Sequence, residues 1–211
     1  MNTTTLGYVH RYVAPIGDDP RTLLLLHGTG GDENDLIHLG QMLAPDAALL
    51  SPRGNVSENG AARFFRRLAE GVFDIGDLHA RTRELVAFIE AAAGQYGFDP
   101  ARVIAVGFSN GANIAGSVLL SSPKALEAAV LFRPMVPFVP EQPVSLEGKR
   151  VYIGAGESDQ LVSRLHPQRL AEMLRVLGAD VTLNWQPTGH TLTRADVSSA
   201  YDWLEGFKQT A

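Results

Sequence analysis

Apolar and polar positions along the chain fall into short, nearly continuous apolar runs separated by longer stretches of helical period. The runs Thr22 to Leu26, Ala47 to Leu50, Val103 to Val106, Glu127 to Phe132, Arg150 to Ile153 and Asp180 to Trp185 have the length of buried strands. Tyr8 to Val13 reads as a lead-in edge strand. Between the runs, Asn34 to Leu43, Asp77 to Tyr96, the segment after Gly111, Pro167 to Leu177 and Arg194 to Phe207 read as helices. Asp77 to Tyr96 is the clearest. Leu78, Leu85, Ile89, Ala92 and Tyr96 share one face, Asp77 can cap it, and Gly97 and Pro100 close it. Pro167 suits a first helical turn and Gly178 a C-terminal cap. Two long connections remain. Asn55 to Arg67 is polar, and Arg133 to Glu147 carries Pro134, Pro137, Pro140 and Pro143. Strands alternating with helices predict βαβ units and an α/β domain with a mostly parallel, doubly wound sheet. No repeat or linker divides residues 1–211, so a single domain is expected. Ligands of such sheets bind beyond the carboxyl ends of the strands. Four distinctive turns fall there: His27 to Gly31, Ser109, Asp159 and His190.

Composition narrows the chemistry. The net charge of −5 gives no sign of a nucleic-acid partner, and no apolar run reaches membrane-spanning length. Met1 to Thr5 lacks a positive region followed by an apolar core, so a cytoplasmic location is expected. The absence of cysteine removes disulfides, thiolate metal sites and a cysteine nucleophile together.

The run Val103 to Val106 leads into Gly107-Phe108-Ser109-Asn110-Gly111, after which Ile114 and Val118 are four residues apart. Strand, sharp turn and helix around Gly-x-Ser-x-Gly form a nucleophile elbow, in which the glycines give room and the serine oxygen stands clear. Asn110-Gly111 is also a hairpin signal, but the segment after it lacks the alternation of a strand. A serine hydroxyl needs a base, and the base an orienting acid. The order serine, acid, histidine is met by Ser109, Asp159 and His190. Glu157 and Asp180 are rival acids, and His166 precedes Pro167 at a helix start. The turn Gly28-Thr29-Gly30-Gly31 has Glu33 where a dinucleotide fingerprint needs its third glycine, and it lacks the Lys-Ser/Thr ending of a P-loop. Acyl transfer requires two backbone N–H donors aimed at the oxyanion. Asn110 and Thr29 are assigned to that role, with Gly28 and Gly30 as neighbours.

Leu26-His27-Gly28-Thr29-Gly30-Gly31-Asp32, Gly107 to Gly111, Gly156-Glu157-Ser158-Asp159 and Gly189-His190 together resemble the phospholipase/carboxylesterase family of α/β-hydrolases, which includes acyl-protein thioesterases. The resemblance implies Ser109, Asp159 and His190 as triad, Thr29 and Asn110 N–H as oxyanion hole, helices on both faces of the sheet and no separate lid domain. Ser51 to Gly54 and Arg63 to Arg67 are closer to the bacterial carboxylesterases of the family, and Gln160 departs from the thioesterase pattern. The implied activity is serine-dependent hydrolysis of carboxylic esters through an acyl-enzyme, with no cofactor and no metal; short to medium acyl groups are expected from the size of the chain and the short rim its two long loops can form. A thioesterase or lysophospholipase of the same family is the alternative. A non-catalytic ligand-binding protein of this fold would be expected to have lost a triad member. Dienelactone hydrolase is disfavoured, because its nucleophile would be cysteine. Phe64, Phe65, Met135 and Val136 on the long loops, with Val162 and Leu192 beside the acid and the histidine, are assigned to the substrate pocket; their alternative role is to anchor those loops. The expected partner is a small-molecule ester, and a homodimer is compatible with the sequence.

Overall fold

The computed structural model of the protein describes residues 6–142 and 144–206. Met1 to Thr5, Pro143 and the expected helix end at Phe207 lie outside the described residues. In chain order the first elements are β1 (His10–Val13), β2 (Thr22–Leu26), α1 (Ile37–Leu43) and β3 (Ala48–Pro52). Four short strands follow: β4 (Val56–Glu58), β5 (Ala61–Arg63), β6 (Arg67–Ala69) and β7 (Val72–Phe73). Then come α2 (Ile75–Tyr96), β8 (Val103–Phe108), α3 (Asn110–Ser121), β9 (Ala128–Phe132), β10 (Arg150–Gly156), α4 (Leu165–Val176), β11 (Asp180–Gln186) and α5 (Arg194–Glu205).

Seven strands form one sheet in the order β1-β3-β2-β8-β9-β10-β11. β1 is antiparallel to β3 and every other pair is parallel. The strands read as continuous apolar runs because both faces are covered. Along β2, Leu24 and Leu26 enter one core with residues of α2, α3 and α4, while Leu23 and Leu25 enter the other with residues of α1 and α5. β2, β8, β10 and β11 all end at one edge of the sheet, which brings the four turns together.

Three local differences from the expected elements have clear causes. α2 begins at Ile75 and is capped by Asp74, whose Oδ1 accepts from Asp77 N–H at 3.0 Å. The Asp77 carboxylate instead accepts from Arg66 N–H at 2.7 Å. α1 starts three residues later than expected, because Asp32 Oδ1 takes Asn34 N–H at 2.7 Å in a side-chain turn. The polar connection 55–67 is not irregular. β4 and β5 pair as a hairpin across Asn59-Gly60, where φ is 52° and 86°, as a tight hairpin turn requires.

Candidate active site

Ser109 closes β8 and caps α3 with φ 52° and ψ −112°, a strained conformation for a residue other than glycine. Its N–H is tied to Phe132 O at 2.9 Å, and its hydroxyl makes no capping bond to the helix. The two flanking glycines are required by space. A Cβ on Gly107 would lie 2.6 Å from Ala112 N, and one on Gly111 would lie 1.9 Å from Leu26 O. The turn is thus wedged between the β2 end and its own helix, and the hydroxyl is left facing outward.

His190 follows β11 and Asp159 follows β10. His190 Nε2 lies 2.9 Å from Ser109 Oγ, and His190 Nδ1 lies 2.8 Å from Asp159 Oδ2. Asp159 Oδ1 accepts from Leu161 N–H at 2.8 Å and Val162 N–H at 3.0 Å. That carboxylate is 2% exposed and the imidazole 21%. Carboxyl oxygens so buried need such donors. The two loops are held at close range: Ser158 N–H donates to Thr188 O at 3.1 Å, and a Cβ on Gly156 would strike Gly189 O at 2.3 Å. The rival acids stand apart. Glu157 is exposed, and Asp180 begins β11 at the opposite edge of the sheet.

The turn after β2 lies beside this row. Gly30 N–H donates to Ala62 O at 2.9 Å and Gly31 N–H to Gly28 O at 3.2 Å. Buried His27 has Nδ1 2.6 Å from Gly28 O, and its Nε2 takes Gly54 N–H at 3.0 Å. Because Gly54 must donate, Nε2 accepts and Nδ1 carries the proton. Burial lowers the pKa of His27 and favours this neutral form. Gly28 C=O and Thr29 N–H belong to one planar peptide. Fixing the carbonyl from two sides therefore fixes the direction of the Thr29 N–H. Arg63, buried under the same turn, donates to Thr29 Oγ1 and pairs with Glu58 at 3.3 Å.

Thr29, Ser109, Asn110 and His190 line one cavity of about 380 Å³, with Met135, Val162, Asn113, Arg63 and Arg67 among its other walls. Leu192 is not in it. It lines a neighbouring cleft of about 430 Å³ shared with Thr29, Phe108, His190 and Leu36. Phe64 and Phe65 are a correction to the expected pocket walls. Both are fully buried in the core and absent from the cavity lining. Phe64 N–H is bound by Asn110 Oδ1 at 2.8 Å and its ring packs 4.7 Å from His27, while Phe65 sits edge-on to Phe73 at 5.0 Å. Burial of two aromatic rings makes that loop part of the scaffold. Val136 also packs against the core and does not line the cavity. Among the described residues no group of three or more His, Asp or Glu could hold a metal ion.

Arg133 and Asp196 have no place in the sequence-based site. Arg133 leaves β9 with φ 55°, and its guanidinium meets the Asp196 carboxylate at 2.8 and 2.9 Å, both side chains 0% exposed. The guanidinium also donates to Gly189 O and Thr191 O, each at 3.0 Å, the carbonyls on either side of His190. Burial alone would raise the Asp196 pKa, but hydrogen bonds from Arg133 and Thr193 outweigh it and hold the acid below the usual carboxylate range. Thr193-x-x-Asp196 is a capping box at the start of α5, which a sequence search could have found. Arg133→Met strands a buried carboxylate and is expected to cost about 3–5 kcal/mol in a urea titration. It should also lower kcat more than it raises KM, because His190 loses both anchors. An unchanged kcat in the folded variant would remove Arg133 as a positioning residue.

The chain matches the dienelactone hydrolase family over residues 60–204. MhqD of Bacillus subtilis (strain 168), a provisionally named hydrolase, is 47% identical over 195 residues, 92% of this chain and 98% of that protein. Among solved structures, the carboxylesterase of Bacillus cereus is 45% identical with a TM-score of 0.91, covering 93% of this chain and 92% of that one. The carboxylesterase of Mesorhizobium loti is 30% identical with a TM-score of 0.93, covering 98% of each chain.

Proposed function

This chain belongs to the dienelactone hydrolase family, and we propose that within it Ser109 performs ester hydrolysis through an acyl-enzyme. The protein is an enzyme of α/β-hydrolase fold and carboxylesterase type. The missing cysteine does not separate the chain from that family, as its absence had suggested. It bears on the nucleophile alone, and the elbow position is occupied by serine.

The observation that carries the proposal is the continuous hydrogen-bonded row Ser109 Oγ, His190 Nε2, His190 Nδ1 and Asp159 Oδ2. Ser109 Oγ attacks the ester carbonyl carbon while its proton passes to His190 Nε2. The carbonyl π electrons move to oxygen, where Thr29 N–H and Asn110 N–H donate to the oxyanion. The carbonyl re-forms, the bond to the alcohol oxygen breaks, and His190 returns the proton to that oxygen. A water molecule then attacks the acyl-enzyme, giving its proton to His190, and the acid leaves as Ser109 regains its hydrogen. Asp159 holds the Nδ1–H tautomer throughout and offsets the charge of the imidazolium.

The acyl group is placed in the cavity with Asn110, Met135 and Val162. Each methylene buried there is worth about 0.8 kcal/mol while apolar wall remains. Arg63, Arg67 and Glu70 are also part of the lining and limit the apolar wall, so the gain is expected to end early. Across p-nitrophenyl acetate, butyrate, octanoate and palmitate, kcat/KM is expected to rise and then fall. A constant still climbing at palmitate, or a matched acyl thioester turned over faster than its ester, refutes the short to medium acyl preference.

A further inference from the structure

The cleft containing Leu192 does not end beside His190. It shares Asp35, Leu36 and Leu192 with a groove of about 710 Å³ that runs between α1 and α5. Along the groove lie Leu39 and Met42 from α1 and Val197 and Tyr201 from α5. At its far end Met42 is 42% exposed and Tyr201 37% exposed, so two large apolar side chains stand open to solvent in line with the candidate site. The cavity that holds Ser109 is more mixed in character, with Arg63, Arg67 and Glu70 lining it beside Phe73, Met135, Leu161 and Val162.

We propose that this groove receives the alcohol half of the substrate, so that preferred esters join a short acyl group to a neutral, apolar alcohol. This rests on the esterase reading above. His190 Nε2 must deliver its proton to the leaving oxygen, which therefore lies against His190. The cavity holds Ser109, Asn110, Asn113 and Met135 and takes the acyl side; the cleft is lined by His190, Thr29 and Leu36 but by neither Ser109 nor Asn110. An alcohol leaving along His190 enters that cleft and continues over Leu36, Leu39 and Met42. Leu36 to Met42 spans about 9 Å of helix, room for several further methylenes once the first carbons have crossed the cleft beside His190. Asp35 at the junction is offset by Arg194 along the groove, so neither charge sign dominates and the apolar side chains set the preference for an uncharged alcohol.

All acetate esters pass through one acetyl-enzyme, and simple alkanols differ little as leaving groups. Their kcat/KM values therefore report how the alcohol is held during acylation. From methyl to octyl acetate, followed by acid release below the solubility limits, kcat/KM is expected to rise about twofold per methylene on a half-covered apolar surface. Met42→Asp combined with Tyr201→Asp, both at the exposed rim, should lower kcat/KM for octyl acetate about tenfold and leave methyl acetate within twofold. A flat alcohol series in the unaltered enzyme overturns the proposal. So does a double variant that loses p-nitrophenyl octanoate turnover while keeping octyl acetate, since the groove would then hold the acyl chain. In either case Ser109-dependent hydrolysis of methyl acetate leaves the esterase reading standing. No Ser109-dependent turnover of any ester overturns both.

Discussion

Ser109→Ala is expected to reduce ester turnover by about 10⁶-fold, the scale seen when the nucleophile of a serine hydrolase is removed, with the fold retained. The stability half follows from the local structure. Ser109 Oγ makes no cap to α3, and its hydrogen bond is to His190 Nε2. Alanine has the same Cβ and meets the same strain at φ 52°, while the backbone bond to Phe132 O remains available. A part-buried hydrogen bond of this kind contributes only about 1 kcal/mol. The melting temperature should therefore move little. A fluorophosphonate should phosphonylate the native enzyme at Ser109 alone, with loss of fluoride and the adduct located by mass spectrometry of peptides. Labelling at another serine, or turnover that survives the substitution, removes Ser109 as nucleophile. By contrast Gly111→Ala leaves every reactive group in place yet drives a Cβ to 1.9 Å from Leu26 O, so it should lose both stability and turnover.

The parts of this molecule legible in its sequence are those carried by short-range pattern. Continuous apolar runs mark β2, β8 and β9 because strands covered on both faces have no polar alternation. The turns at Ser109, Asp159 and His190 could be placed at one edge because parallel strands all end there. Contacts between residues far apart in sequence were not legible. Nothing near Arg133 announces that its partner is Asp196, 63 residues later, or that the pair grips the His190 loop. Phe64 and Phe65 were misplaced for the same reason. In a loop of arginines they read as pocket walls, but Arg63, Arg66 and Arg67 are drawn outward or into pairs by Glu58 and Asp74, and the rings turn to the core. Asn-Gly shows how context decides a signal. At 59–60 it makes a hairpin, whereas at 110–111 the same pair opens a helix, because Gly111 must fit against the β2 end.

Asp159→Asn should lower kcat/KM by up to about 10⁴-fold, and Glu157→Gln by less than twofold. The asymmetry is one of hydrogen-bond direction. Asp159 Oδ1 accepts from Leu161 and Val162 N–H, which leaves Oδ2 to accept the proton on His190 Nδ1. In the asparagine variant those two backbone donors continue to demand the amide oxygen. The amide NH₂ then faces Nδ1 and donates to it, so Nδ1 must be the bare nitrogen and Nε2 carries the hydrogen. A protonated Nε2 cannot take the proton of Ser109. Shape and packing barely change, so the melting temperature should hold while the rate collapses, and His190→Ala should be at least as severe. Glu157 cannot substitute, since its exposed side chain lies on the solvent side of a loop whose N–H is tied to Gln186 O. Asp180 is excluded by distance: it begins β11, and His190 follows the far end of that seven-residue strand, roughly 20 Å away. A larger loss in Glu157→Gln than in Asp159→Asn, measured on p-nitrophenyl acetate at equal pH, assigns the orienting acid to Glu157 and requires the loop after β10 to rearrange in solution.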